Sequence, residues 1–377
     1  MDRFPFSAVV GQDLLKTALL VNIINPSIGG VLICGPKGSG KSTIVHSIES
    51  VLPLYTSVAG CRFRCDPSTP SRFCSECQSR EELVPIEQPM RIISLPLSCT
   101  EDRLIGSVDV EVLLKSGRKL VQPGILGEAN QNVLYIDEVN LLPDHLVDDI
   151  LDVAASHWNS IEREGVSIRH PSSFVLIGTM NPEEGDLRPQ ILDRFPLCVQ
   201  MSTIDDPAMR TEIMRRNLRF EADPDAFGRL YEPEQRRYRD IIGASRQILL
   251  DVRISDACLD AIARAAIELK VDGQRPDIAI VRTSRTLAAL NGRIEVRGHD
   301  IETAAGLVMA HRTRDGGLLE PPSPDEVRSV LRKHITTAVH DNPTAGSGSG
   351  MTRASETRSA IMGITENSSE KKTSFTA

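Results

Sequence analysis

The chain has 377 residues, 40% of them hydrophobic and 25% charged, with a formal net charge of −8. This is enough chain for two globular domains of ordinary size, and the acidic balance excludes non-specific nucleic-acid binding by bulk charge. No apolar stretch is long enough to span a bilayer, and Met1 to Phe6 lacks the apolar core of a signal peptide, so a cytoplasmic protein is expected.

In chain order, the first helical pattern follows Val10-Gly11-Gln12, with Leu14, Leu15, Ala18, Leu19 and Ile23 at helical spacing. Val31-Leu32-Ile33-Cys34 is a short apolar run of the kind a buried parallel strand presents. Directly after it comes Gly35-Pro36-Lys37-Gly38-Ser39-Gly40-Lys41-Ser42-Thr43, which fits G-x-x-x-x-G-K-[ST]. Helical spacing resumes through Ile48. A Gly-rich loop between strand and helix offers exposed amides and the positive helix end to phosphates. Lys41 is expected to reach the β- and γ-phosphates and Ser42 to ligate Mg²⁺. Lying just upstream, Val10, Gly11 and Gln12 are candidates for the adenine wall.

Residues 51–90 read as an irregular insertion carrying Cys61, Cys65, Cys74 and Cys77. The spacing C-x₃-C, eight residues, C-x₂-C points to a tetrahedral structural metal, zinc ahead of an iron–sulfur cluster. Four reduced thiols on a loop are the alternative. Cys34, Cys99, Cys198 and Cys258 are dispersed and read as small buried apolar residues. Ile92 to Leu95 is a second strand, and a helical pattern occupies Val110 to Leu114.

Val133-Leu134-Tyr135-Ile136 delivers Asp137 and Glu138 to a strand's C-terminal end, where α/β sheets bind ligands. Asp137 is expected to hold the Mg²⁺ hydration shell and Glu138 to polarise the attacking water. Leu141 to Ala155 is helical, and Trp158 to Ile168 reads as a hairpin turning at Glu164-Gly165. A fourth strand, Phe174 to Thr179, ends at Asn181-Pro182. Asn181 either contacts the γ-phosphate or lytic water, or caps the turn. Arg194 precedes a fifth strand, Leu197 to Met201, and either pairs with Asp193 or Asp186 or serves as an arginine finger. From about Asp206 helices dominate, at Ser255–Leu269, Ile278–Leu290, Asp300–His311 and Ser323–Val339. The last opens on a capping box, Ser323-Pro324-Asp325-Glu326.

These phrases occur in one order: Phe4-Pro5-Phe6 with Val10-Gly11-Gln12, Gly35 to Thr43, Leu95-Pro96-Leu97 with Thr100 to Arg103, Gly106 to Asp109, Tyr135 to Leu142, Trp158 to Gly165, Asn181 to Gly185, and Arg188 to Phe195. Over roughly residues 3–335 the chain resembles the small ATPase (I) subunit family of magnesium chelatase, within the AAA+ superfamily. The resemblance implies an αβα P-loop domain with a parallel five-stranded sheet, residues 1–205, carrying the Cys insertion 51–90 and a helix-2-type insert at 97–130. A C-terminal helical domain, 206–339, follows; the tail 340–377, atypical of the family, is expected to be disordered from its Gly-, Ser-, Thr-, Lys- and Glu-rich composition. The resemblance implies ATP and Mg²⁺ as cofactors and self-association into a ring, typically a hexamer. The implied partners are a larger AAA+ subunit with an integrin-type domain and a very large porphyrin-binding subunit. Asn181 takes the sensor 1 role by motif position, Arg194 the arginine finger and Arg282 sensor 2. The implied activity is ATP-driven insertion of Mg²⁺ into protoporphyrin IX, a ligase reaction of chlorophyll or bacteriochlorophyll synthesis. The Cys cluster is not part of the phototroph pattern. The competing expectations are a cobalt chelatase subunit for cobalamin synthesis and a MoxR-like AAA+ chaperone.

Overall fold

The computed structural model describes residues 3–108, 121–163, 166–185, 187–201 and 203–340. Several expectations lie outside these residues: the helical pattern at Val110 to Leu114, Asp109, the turn at Glu164-Gly165, any pairing by Asp186, and disorder beyond residue 340.

The strands are β1 (Val31–Cys34), β2 (Leu54–Val58), β3 (Pro85–Pro89), β4 (Ile92–Leu95), β5 (Gly106–Val108), β6 (Val121–Pro123), β7 (Val133–Ile136), β8 (Trp158–Arg163), β9 (Val166–Pro171), β10 (Val175–Met180) and β11 (Leu197–Gln200). Five of them form the main sheet in the order β11-β1-β10-β7-β4. Every pairing in it is parallel, with Val31 beside Ile177 and Leu197, and Val133 beside Val175 and Ile92. The expected five-stranded αβα architecture is therefore present. Because all the strands run the same way, their C-terminal ends share one edge of the sheet, the edge where open α/β sheets place ligands.

Side-chain alternation along the strands feeds two cores. On one face Val31, Ile33, Tyr135, Ile177 and Val199 pack with Leu15, Leu19 and Ile23 of the helix Asp13–Ile24. The same apolar cluster runs on into Ile242, Ile262 and Leu287, so the C-terminal helices dock onto this side. On the other face Leu32, Leu134, Ile136 and Leu176 meet Leu126 and, from the helix Asp144–Ser156, Leu146 and Ile150. With both faces covered, β1, β7 and β10 are buried along their whole length, which is why they read as unbroken apolar runs.

Three two-stranded antiparallel ribbons project from this frame. The β8–β9 ribbon is the expected hairpin. The 51–90 insertion is more ordered than its composition suggested. β2 and β3 zip its two ends together, Leu54 opposite Pro89 and Val58 opposite Pro85. The 97–130 insert contains the helices Glu101–Ile105 and Ile125–Ala129 and the β5–β6 pair.

The C-terminal helices are Pro207–Ala222, Pro224–Ile248, Asp256–Glu268, Arg275–Leu290, Gly298–Met309 and Pro324–His340. The first two were not located in the sequence, although both carry an Asp-Pro start. The carboxylates of Asp206 and Asp223 accept from the amides of Ala208 and Ala226 at 2.8 Å each. The capping box at Ser323 is only half formed. Ser323 Oγ accepts from Glu326 N at 3.1 Å, but the Glu326 carboxylate is taken by Arg314 at 2.9 Å, whose charge outcompetes a backbone amide.

Candidate active site

The loop Gly35–Gly40 joins β1 to the helix Lys41–Ser47. Gly40 has φ +85°, a conformation that side-chain-bearing residues rarely adopt. A Cβ on Gly35 would lie 2.9 Å from that of Met201, so the strand ends pack too closely for any other residue. The buried Lys41 ammonium points into the concave side of the loop, donating to Gly35 O at 2.6 Å and Pro36 O at 2.9 Å.

Asp137, immediately after β7, stands across from Ser42. Ser42 Oγ donates to its carboxylate at 3.2 Å. Two further hydroxyls fix the same group, Thr179 Oγ1 at 2.6 Å and Tyr135 OH at 2.8 Å. Partial burial pushes the Asp137 carboxyl up, but the hydrogen bonds from Thr179, Tyr135 and Ser42, with the Lys41 charge, outweigh it and hold the group below the usual carboxylate range. Asp137 is thus an oriented carboxylate beside a hydroxyl, a donor pair suited to Mg²⁺.

Glu138 sits in the left-handed region, φ 56°, and its amide donates to Thr179 Oγ1 at 3.1 Å. A non-glycine residue there is strained, which is common where a side chain must be aimed for function. Asn181 follows β10 at the same edge and is buried. Its Oδ1 accepts from Glu183 N at 3.2 Å, the capping contact anticipated for Asn-Pro. Asn140 Nδ2 donates to Asn181 O at 3.3 Å, tying this turn to the Glu138 turn.

A cavity of about 1010 Å³ opens beside the loop. Val10 and Gln12 line it, as expected for the base wall, with Phe4, Pro36 to Gly40 and Thr43. Gly11, between Val10 and Gln12, has φ +64°, a conformation that residues with a side chain rarely adopt. The opposite wall, including Arg210 and Met214, comes from the helix Pro207–Ala222. These residues were missed in the sequence, and the Asp206-Pro207 helix start was the available signal.

Two predicted site residues are engaged elsewhere. Arg282 donates to Ser27 O at 2.5 Å. Ser27 precedes β1 and the phosphate loop follows it, so a four-residue strand, about 13 Å, separates Arg282 from its own loop. Arg282 is thereby engaged at the end of β1 opposite the loop. Arg194 forms an ion pair with Asp152 of the helix Asp144–Ser156, not with Asp193. Asp193 is held instead by Arg312, a residue without a sequence signal. Buried Arg312 donates to the Asp193 carboxylate at 2.7 Å, Phe195 O at 3.1 Å and Pro196 O at 3.3 Å. Beside it, His311 Nε2 donates to Phe195 O at 2.8 Å, and burial lowers its pKa to about 3, so it is neutral. The C-terminal helices thereby clasp the segment that carries Arg194.

Away from the cavity, Cys61, Cys65, Cys74 and Cys77 are all buried with their sulfurs within 4.8 Å of one another. Of the dispersed cysteines, Cys34, Cys99 and Cys198 are buried as expected, and Cys258 only partly. Among the described residues no helix is long and apolar enough to cross a membrane.

Comparison with known proteins agrees with this arrangement. The family model for the AAA domain (dynein-related subfamily) matches residues 78–195, and that for the AAA lid domain matches residues 259–332. A magnesium-chelatase subunit ChlI homolog of Methanocaldococcus jannaschii is 49% identical over 320 residues, covering 85% of this chain and 87% of the relative. The chloroplastic magnesium-chelatase subunit ChlI-2 of Arabidopsis thaliana is 45% identical, covering 82% and 75%. A structure of the complex between subunits BchI and BchD of magnesium chelatase aligns with a TM-score of 0.50 at 38% identity, covering 88% of this chain and 100% of that one. The chain belongs to the ChlI family of magnesium-chelatase ATPase subunits, within the AAA+ superfamily.

Proposed function

We propose that this chain is the ATP-hydrolysing subunit of a magnesium chelatase, driving Mg²⁺ insertion into protoporphyrin IX. The observation that carries the reading is the convergence of Lys41, Ser42, Asp137 and Glu138 at one sheet edge, in a chain of this family. ATP, when bound, supplies the phosphoanhydride that is broken. The Lys41 ammonium and loop amides bind its phosphates. Ser42 and Asp137 hold the Mg²⁺ that accompanies it. Glu138 accepts a proton from the attacking water. Asn181, anchored at the next turn, positions that water or the γ-phosphate.

Arg194 and Arg282 are assigned to the nucleotide of a neighbouring copy, since Arg194 is paired with Asp152 and Arg282 is bonded to Ser27 O ahead of β1 rather than beside the phosphate loop. This implies a ring, for which we adopt a hexamer. Residues 1–205 act as the nucleotide-binding unit and 206–339 as the helical unit bearing Arg282. The partners assigned are a larger AAA+ subunit with an integrin-type domain and a large porphyrin-binding subunit. The cofactors are ATP and Mg²⁺, with one structural Zn²⁺ at the four clustered cysteines. Clustered thiols of this kind fit a reducing compartment, and on that ground we place the chain in the cytoplasm.

Two variants test the site. Lys41→Ala should lose ATP binding, because the phosphates lose their main cationic partner. Glu138→Gln should bind ATP and assemble normally yet hydrolyse at least about a hundredfold more slowly, the usual worth of a general base. Unimpaired turnover in Glu138→Gln would refute the assignment. Insertion assays with co-purified partners, offering Mg²⁺ and Co²⁺ separately, test the substrate. Insertion of Co²⁺ alone would replace magnesium chelatase with cobalt chelatase.

A further inference from the structure

The cysteine cluster lies outside the nucleotide cavity and the proposed hydrolysis does not use it. Cys61 Sγ and Cys74 Sγ are 3.8 Å apart. Four sulfurs each at ~2.3 Å from one tetrahedral ion are spaced by about 3.8 Å, so this pair already has the spacing of a Zn–S₄ site and all four sulfurs, within 4.8 Å of one another, lie close to it. A four-iron cluster spreads its ligand sulfurs around a cube of iron and sulfide and needs them farther apart. The amide of Cys65 donates to Cys61 Sγ at 3.5 Å and that of Cys74 to Cys65 Sγ at 3.2 Å. Such amide donors stabilise thiolate ligands.

The tip of the Cys61–Cys65 loop is inserted into the rest of the molecule. Phe63 stacks on His170 of β9, ring centroids 4.2 Å apart and 15° from parallel. His170 is buried and accepts from Asn159 Nδ2 of β8 at 2.9 Å. Phe63 O accepts from Asn130 Nδ2 at 2.6 Å, and Arg64 O from Gln131 Nε2 at 2.7 Å. Asn130 and Gln131 form the turn into β7, the strand that delivers Asp137 and Glu138. Arg64 itself is left-handed, φ 49°, a conformation that local sequence does not favour and that something must hold. The apolar support is slight. Val58, Phe63 and Phe73 pack with the four cysteines and Ile161 in a cluster separate from the two sheet cores. So little core does not hold an insertion of this length without a staple.

We propose that the Zn²⁺ at Cys61, Cys65, Cys74 and Cys77 fixes the Cys61–Cys65 loop as a brace between the β8–β9 hairpin and the turn into β7. This rests on the zinc reading of the cysteines and adds what the metal holds. Removing the ion frees Phe63 and Arg64 and with them the hairpin, while the phosphate loop, built on β1 and its own helix, stays formed.

Elemental analysis of the full-length protein tests the metal, and hydrogen exchange tests the brace. About one zinc per chain is expected. Stripping it with a chelator should abolish protection of the amides in 158–163 and 166–171 and leave the amides of residues 41–47 and ATP binding unchanged. Phe63→Ala keeps all four ligands, so it should retain zinc and still lose hairpin protection. That variant carries the test if the stripped protein unfolds. Metal-free protein, or iron in place of zinc, overturns the zinc reading and the brace together. Full zinc with hairpin protection unchanged in Phe63→Ala overturns the brace alone.

Discussion

The two edges of the central sheet differ in how they are equipped. At the C-terminal edge, Lys41, Ser42, Asp137 and Glu138 meet within one chain, the first two at the helix start beyond the loop after β1 and the others directly after β7. At the opposite edge stand Arg194, Arg282 and Arg312, brought there from distant parts of the sequence. There, Arg194 rests on Asp152, Arg282 on Ser27 O, and Arg312 holds the Arg194 segment in place. One edge carries phosphate-binding groups that lack a finger, and the other carries guanidinium groups remote from their own chain's phosphates. On the proposed assignment of Arg194 and Arg282 to a neighbouring copy, the two halves complete each other between copies.

The largest expected effect comes from separating these halves. Arg194→Ala keeps an intact loop and Lys41→Ala keeps an intact finger. Each alone should be nearly inactive, since fingers supplied in trans are worth ~10³–10⁵ in rate in GTPases. Mixed rings contain sites with the loop of one and the finger of the other, so hydrolysis should partly return. If subunits exchange, as followed by fluorescence transfer between labelled copies, and no activity returns, Arg194 acts within its own chain and the contrast between the edges collapses.

The clasp at the second edge should give a smaller effect. Arg312→Met leaves Pro196 O and the Asp193 carboxylate without their Arg312 donor and Phe195 O with His311 alone, a loss on the order of 3 kcal/mol. The urea midpoint should fall accordingly. In the conservative variant Arg312→Lys one compact ammonium replaces a planar fork. It should fold but bind ATP better than it hydrolyses it, because the Arg194 segment is held loosely. Wild-type turnover in Arg312→Lys would reduce the clasp to packing.

This contrast also explains what could be read from the sequence. The phosphate loop, β1, β7, β10 and the Asp137-Glu138 pair were legible because each is a contiguous run whose local chemistry fixes its structure. The lining of the cavity was half legible: Val10 and Gln12 stand out in the phrase upstream of the loop, whereas Arg210 and Met214 reach the cavity through the docking of a helix. The β2–β3 ribbon escaped notice because its pairing joins Leu54 to Pro89 across an insertion with no strand-like composition. Arg312 and His311 were invisible for the same reason. Their partners lie more than a hundred residues away, and a buried arginine looks in sequence like any surface charge.

The smallest expected effect sharpens the description of the first edge. Asp137 is held by three hydroxyls, and Tyr135→Phe removes one of them without changing the packing of the ring. The folded-state pKa of Asp137 is depressed, so its stabilisation is present above the unfolded carboxylate pKa and is lost as pH falls through the folded value. Removing the tyrosine donor raises the folded value. The acid limb of ATP hydrolysis should therefore move to higher pH, by less than about one unit, or 1.4 kcal/mol, because Thr179 and Ser42 remain. Turnover near neutrality should change little. His46 packs edge-on to Tyr135 at 5.3 Å and is a second titrating group nearby, with its pKa lowered by burial. The comparison is therefore made in a His46→Gln background, so that the imidazole does not contribute to the difference. An acid limb that stays in place when Tyr135 is replaced would mean that Thr179 and Ser42 alone set the charge on Asp137, and that the tyrosine serves the core.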